Sequence, residues 1–179
     1  YAAEMRNSLI YDALQAFGGA GFTEDYDIAR LYRDARITNL YDGTSQIQIN
    51  AAIGGISAGM TAKGLFREYL DDWFAKTDAS DLLAGLRATF EEVVETYKAL
   101  PNADLKAELS LEVCNSAVRI LIGLYMEQTA AKLKDADQRE ERLQLAREFN
   151  IDSEAILSGN LIRLKRGAEA SAPALAAIG

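Results

Sequence analysis

The chain has 179 residues, enough for one substantial core or two small ones. With 27 acidic against 19 basic residues it carries a formal net charge of −8, and without a basic stripe it is a poor match for nucleic acid or an anionic membrane. It has no histidine, which removes Ser-His-Asp and Cys-His catalysis and the commonest zinc ligand, so no metal site is expected.

Cys114 is the only cysteine, and in the apolar run Leu111 to Leu124 it reads as a small buried hydrophobe. No apolar stretch is long enough to span a bilayer and no signal peptide is legible, so a cytoplasmic protein is the expectation, or a mitochondrial-matrix one in a eukaryote. Tyr1-Ala2-Ala3-Glu4-Met5 offers no initiator, cap or turn and reads as helix interior. The chain is therefore expected to begin inside a longer polypeptide.

Two prolines and few alternating β-branched runs predict an all-α protein. The first helix should run to about Phe17, with Ala2, Met5, Leu9, Ala13 and Leu14 inward, and stop at the loop Gly18-Gly19-Ala20-Gly21. A second helix, Ile28 to Leu40, should bury Ile28, Leu31, Tyr32, Ala35 and Leu40. Its other face carries Arg30, Arg33, Asp34 and Arg36. Those charges fit a solvated face with local ion pairs, with Arg33–Asp34 alternatively bracing the turn that follows. Tyr41-Asp42-Gly43 is that turn, and Thr44 or Ser45 can cap a third helix reaching about Met60. Its run of small residues, Gly54, Gly55, Ser57, Ala58 and Gly59, suggests close helix–helix approach.

After Thr61 the character changes. Leu65, Phe66, Tyr69, Leu70, Trp73 and Phe74 make one amphipathic stripe, better read as core or subunit interface than as a ligand site. Leu82 to Tyr97 makes another after the Ser80 cap. Pro101-Asn102 is a turn, and a long helix is predicted from about Ala103 to Lys134. Asp135 to Arg142 reads as solvated helix or connector, Ser153 to Arg166 as a last helix, and 167–179 as a flexible tail. Residues 61–166 thus read as an up-and-down bundle appended to the helices of residues 1–60.

Asp42 is the residue that could do chemistry. A carboxylate on a turn before a helix feels the positive end of the helix dipole, beside the free N–H groups of Gly43, Thr44 and Ser45. A general base beside an oxyanion or phosphate cradle is one reading. Asp-Gly is equally a common turn dipeptide and Thr-Ser a common cap, and the residues alone leave both readings open.

Tyr41-Asp42-Gly43-Thr44-Ser45-Gln46-Ile47-Gln48, the upstream Gln15-Ala16-Phe17-Gly18-Gly19 and the intervening Leu31-Tyr32-Arg33-Asp34-Ala35-Arg36-Ile37 together resemble the carboxy-terminal helical domain of the flavin-dependent acyl-CoA dehydrogenases. The resemblance covers about Tyr1 to Gly59. It makes residues 1–60 the last three helices of that domain. It implies Asp42 as the base that takes the α-proton of an acyl-CoA thioester while a hydride passes to flavin. It further implies Gly43 at the acyl-CoA, Thr44 and Gln46 at FAD, and Gln15, Gly18 and Gly19 at the FAD of a neighbouring subunit. A homo-oligomer (dimer or tetramer), electron-transfer flavoprotein as acceptor and a 2,3-enoyl-CoA product follow in the same way, with a place in fatty-acid metabolism.

Two departures stand out. The family usually has Glu where this chain has Asp42, a carboxylate shorter by about 1.5 Å. Branches acting on alicyclic carboxyl-CoA substrates use Asp there, while other branches supply the base from another helix. Ile49 replaces an Arg common after the motif, so CoA contacts of that Arg do not carry over. Without the rest of the enzyme the isolated chain is expected to be inactive. The alternative functions are a non-catalytic helical interaction or oligomerisation module, and an acyl-CoA oxidase.

Overall fold

The structure, a computed structural model, describes the backbone of residues 1–176 and the side chains of residues 1–169. Of the expected flexible tail 167–179, residues 167–176 are instead helical, continuing α9, and 177–179 lie outside the described residues. Every element is helical: α1 (Ala2–Phe17), α2 (Gly19–Phe22), α3 (Asp27–Ile37), α4 (Ser45–Gly59), α5 (Leu65–Lys76), α6 (Asp81–Lys98), α7 (Ala103–Glu108), α8 (Ser110–Ala131) and α9 (Ala136–Ala176). Two compact units result, Tyr1–Ile49 and Asn50–Gly179.

In the first unit α1 packs on α3 through small residues. Ala29 and Ala35 are buried, and Ala3, Asn7, Ile10, Ala13 and Leu14 are half-buried. The inward face of α1 is thus rotated from the expected one, since Ala2, Met5 and Leu9 are exposed. Likewise Leu31, Tyr32 and Leu40 of the second predicted helix are exposed, because alanines, not large side chains, form the contact. At the end of α1, Gly18 takes φ 60 and ψ −145, a conformation open to glycine, and its N–H returns to the Gln15 carbonyl at 3.0 Å. The expected glycine loop is instead the single helical turn α2. A Cβ on Gly21 would lie 2.7 Å from the Phe17 Cβ and 2.9 Å from the Leu14 carbonyl, so this glycine serves close packing. α3 stops at Ile37, short of the expected Leu40. There the Thr38 hydroxyl donates to the Ala35 carbonyl at 2.7 Å, and turns carry the chain onward.

The second unit has a conventional core. Leu83, Leu86, Phe90, Val93, Val94 and Tyr97 of α6 meet Val113, Ala117, Ile120 and Leu124 of α8 and Leu157 and Leu164 of α9. Met60, with Ile53 and Ile56 of α4, belongs to this core, which is why the unit boundary falls inside α4, before the change of character at Thr61. Ser80 caps α6, its hydroxyl accepting from the Leu83 N–H at 3.2 Å, and Asn102 caps α7 through the Leu105 N–H at 2.8 Å. The long helix expected from Ala103 is broken at Leu109. The Ser110 hydroxyl there donates to the Ala107 carbonyl, and Leu109 is buried with its Cδ1 2.7 Å from where a Gly167 Cβ would stand. In the opposite sense, the segments 135–142 and 153–166 are parts of one helix. Asp135 caps it through the Gln138 N–H at 2.8 Å, and the next glycine is Gly159.

The small-residue run of α4 is only partly a packing device. A Cβ on Gly54 or Gly55 would meet nothing within 4 Å, whereas one on Gly59 would lie 2.7 Å from the Phe66 Cβ. Around the next turn Gly64 is tighter still, since a Cβ there would run into the Gly59 carbonyl oxygen. The stripe of α5 divides. Leu70 is fully buried and Phe66 packs edge-on against Phe90 at 6.1 Å, as core, while Tyr69 and Trp73 wall a shallow groove of about 260 Å³ with Val118, Leu121, Ile122 and Tyr125.

Candidate functional site

The turn between α3 and α4 is built from two consecutive residues of positive φ, Asp42 at 56 and Gly43 at 92. Asp is one of the few non-glycine residues that enter this region readily, because its short polar side chain can bond locally. The Asp42 carboxylate is exposed just ahead of α4. The first intrahelical bond of α4 runs from the Gln48 N–H to the Thr44 carbonyl at 3.1 Å, which leaves the earlier N–H groups of the first turn outside the helix ladder. The turn therefore offers what an anionic centre or a polarised carbonyl oxygen needs: N–H donors with the positive helix end behind them.

Side chains hold this turn from two sides. The Gln48 amide donates to the Asp42 carbonyl at 2.6 Å. The Ser45 hydroxyl donates to Glu4 Oε1 at 2.5 Å, tying the start of α4 to the first turn of α1. That hydrogen bond, opposed by partial burial and helped by Arg36, holds the Glu4 carboxyl below its ordinary range. Deeper in the unit the Asn7 amide donates to Asn39 Oδ1 at 2.5 Å and to the Ala35 carbonyl at 3.3 Å, linking α1 to the end of α3. Arg33–Asp34 is not the brace: Asp34 is paired with Arg30 at 3.4 Å, and Arg30 reaches Asp27 at 3.3 Å, all on an exposed face.

An open cleft of about 500 Å³ adjoins the turn, walled by Tyr11, Tyr32 and Leu40 and floored by Asn7, Asn39 and Glu4, with Arg36, Thr44, Ser45 and Gln46 at its rim. Thr44 and Gln46 thus face one concave surface, and Asp42 and Gly43 lie on the loop beside it. Gln15 is near the other end of α1, about 16 Å along its axis from Glu4, and Gly18 and Gly19 follow that helix. A Cβ on Gly18 or Gly19 would meet nothing within 4 Å, so backbone there is open to an approaching group.

Sequence reasoning passed over Glu4, Asn7, Asn39 and Gln48. The one signal for Asn7 and Asn39 was their polarity at helical and helix-end positions where packing would favour apolar side chains. Glu4 carries none, being ordinary on a helix surface, while Gln48 closes the Tyr41–Gln48 motif but with nothing to say where its side chain goes. Among the described residues no cluster of acidic residues or thiols could hold a metal, and no helix is long and apolar enough to cross a membrane.

Residues 1–56 match the family described as "Acyl-CoA dehydrogenase, C-terminal domain". The chain is 48% identical over 48 residues to a probable acyl-CoA dehydrogenase, fadE25, of Mycobacterium leprae, covering 27% of this chain and 12% of that protein. It is 50% identical over 48 residues to a 3-(aryl)acrylate reductase of Clostridium sporogenes (27% and 13%). It is 44% identical over 48 residues to subunit CarC of the caffeyl-CoA reductase-Etf complex of Acetobacterium woodii (27% and 13%). No solved structure matches. The chain spans about an eighth of the length of these relatives. Its amino-terminal third, the segment that carries Asp42 and the cleft, is accordingly related to the carboxy-terminal helical domain of the acyl-CoA dehydrogenases.

Proposed function

We propose that this chain is the carboxy-terminal part of an FAD-dependent acyl-CoA dehydrogenase, with Asp42 as the base that removes the α-proton of the thioester. The observation that carries the reading is the exposed carboxylate on a left-handed turn directly before α4, within the segment that matches the family. Deprotonated, Asp42 takes the proton from Cα. The N–H groups of the turn, with Gly43 allowing close approach, hold the thioester carbonyl oxygen as negative charge grows on it.

The residues present fit a flavin dinucleotide: Thr44 and Gln46 line an open cleft, and Gly18 and Gly19 leave a surface that a pyrophosphate can approach. When bound, the flavin supplies the two-electron acceptor. Thr44 and Gln46 would hold it, while Gln15 near the end of α1 and Gly18 and Gly19 just after it would serve the flavin of a neighbouring subunit. That separation supports a homo-oligomer, dimer or tetramer, and electrons leave through electron-transfer flavoprotein. The shorter reach of Asp favours a substrate whose Cα–H is brought close, such as a ring carboxyl-CoA.

The first unit exposes Met5, Leu9, Phe17, Phe22, Leu31, Ile37 and Ile47, a surface fit for burial against the rest of such an enzyme. Residues 61–166 then form most of an appended helical bundle, and the isolated chain is inactive. Flavin absorbance with acceptor reduction in the 179-residue chain would overturn that last statement.

A second reading, reduction of a 2,3-enoyl thioester with Asp42 returning the proton to Cα, is favoured by the relatives described as reductases. The test for both is Asp42→Asn in the flavin-loaded enzyme that contains this chain. Flavin content is expected to hold while turnover falls by about three orders of magnitude or more. Turnover within tenfold of the parent would place the base elsewhere.

A further inference from the structure

We propose that Gln48 is a positioning residue for the Asp42 base: its side-chain amide holds the peptide between Asp42 and Gly43 against α4, and so fixes where the Asp42 side chain leaves the turn relative to that helix. The inference rests on the reading of Asp42 as the base.

A turn of two positive-φ residues is not held by the helix ladder. The Gln48 N–H goes to the Thr44 carbonyl, so the Asp42 carbonyl lies beyond the first helical bond. Gln48 is one turn inside α4, and helical side chains lean toward the helix N-terminus, so a long side chain at this position reaches back over the turn. Its Nε2 donates to the Asp42 carbonyl at 2.6 Å. Gly43 supplies a second, steric observation. A Cβ there would stand 2.9 Å from the same Nε2, so the amide crosses the turn in space that glycine leaves open and a larger residue would push it aside. Gly43 thus has two reasons to be glycine, its φ of 92 and the passage of Gln48.

Without that hold the 42–43 peptide can rotate, which swings the Asp42 carbonyl and the Gly43 N–H, and the Asp42 Cα, with the carboxylate it carries, loses its tie to α4. With a base already short by one methylene, there is little reach to spare, and a misplacement of about 1 Å costs on the order of a hundredfold in rate. Of the donor types, an amide suits the task because it is uncharged. A lysine in its place would put a cation beside the carboxylate and weaken it as a base.

The experiment uses the flavin-loaded enzyme that contains this chain and measures α-proton exchange of an acyl-CoA substrate in heavy water, per bound flavin. Gln48→Met keeps the length and removes the donor; Gln48→Asn keeps the amide and withdraws it by one methylene, and stands in if the first variant folds poorly. Both are expected to slow exchange at saturating substrate by about ten- to a hundredfold. KM should stay within about threefold, and the α-deuterium isotope effect on turnover should rise. A role confined to folding would lower flavin loading and leave exchange per flavin unchanged. Exchange within twofold of the parent in the Gln48 variants, with Asp42→Asn inactive, overturns this inference alone. Exchange retained in Asp42→Asn overturns the base reading and this inference with it.

Discussion

Glu127 of α8 is 6% exposed, yet its carboxylate is met by three neutral donors: the Ser80 N–H at 2.9 Å, the Ser80 hydroxyl at 2.6 Å and the Asn150 amide at 2.8 Å. It thereby joins the N-terminus of α6 to the middle of α9. Glu127→Ala leaves the buried Asn150 amide without its acceptor and turns the Ser80 donors, on an exposed residue, to water, so a cost of about 2–3 kcal/mol is expected. Glu127→Gln keeps the shape, but its NH₂ must face one of the donors, so about 1–2 kcal/mol is expected. Trp73 is the only tryptophan and lies in the same unit, so its fluorescence follows urea unfolding of that unit. At an m-value of about 2 kcal/mol/M, Glu127→Ala should lower the midpoint by roughly 1–1.5 M and Glu127→Gln by about 0.5–1 M. A Glu127→Ala midpoint within about 0.3 M of the parent, at unchanged slope, would refute the reasoning.

Glycines in the second unit should separate by their surroundings. Gly64→Ala drives a Cβ into the Gly59 carbonyl and should destabilise by at least about 2 kcal/mol. Gly85→Ala, mid-α6 with nothing within 4 Å, should stabilise by about 0.5–1 kcal/mol in the same urea assay. Burial pushes the Cys114 thiol up to about 11, so at pH 8 it should resist a thiol reagent in the native chain and react fully in denaturant. Because the folded thiol holds its proton above the ordinary value near 9, unfolding releases a proton between about pH 9 and 11. Stability measured by urea titration should therefore fall across that window. Glu4 should titrate below its ordinary value by carboxyl NMR. Ser45→Ala should move it upward, and the Ser45–Glu4 tie should loosen as pH falls through the depressed value.

The parts of the fold legible in the sequence are those decided locally. Ser80 announces its cap, and the stripe from Leu82 to Tyr97 lies in the core except for the half-buried Leu82, because a helical period and a polar stop need no knowledge of what packs on them; Asn102, read only as part of a turn, is in fact the cap of α7. What failed was decided by partners. The face of α1 was misread because the contact with α3 is made by alanines, which carry little pattern. The break at Leu109 depends on a leucine entering a core built from distant helices, and the joining of 135–142 to 153–166 on Asn150 and Ser153 finding partners on other elements. At the site, the motif located Asp42, Gly43, Thr44 and Gln46. It could not show that Gln48 folds back over Gly43 or that Ser45 turns to Glu4, since both depend on where a side chain goes after the backbone is set.

The most direct measurement is the rate of α-proton exchange between an acyl-CoA and heavy water in the flavin-loaded enzyme containing this chain, for the parent and for Asp42→Asn. Exchange in the parent and its loss in Asp42→Asn, at equal flavin content, is the expected result. Exchange at the parental rate in Asp42→Asn would contradict the assignment of the base to the turn before α4.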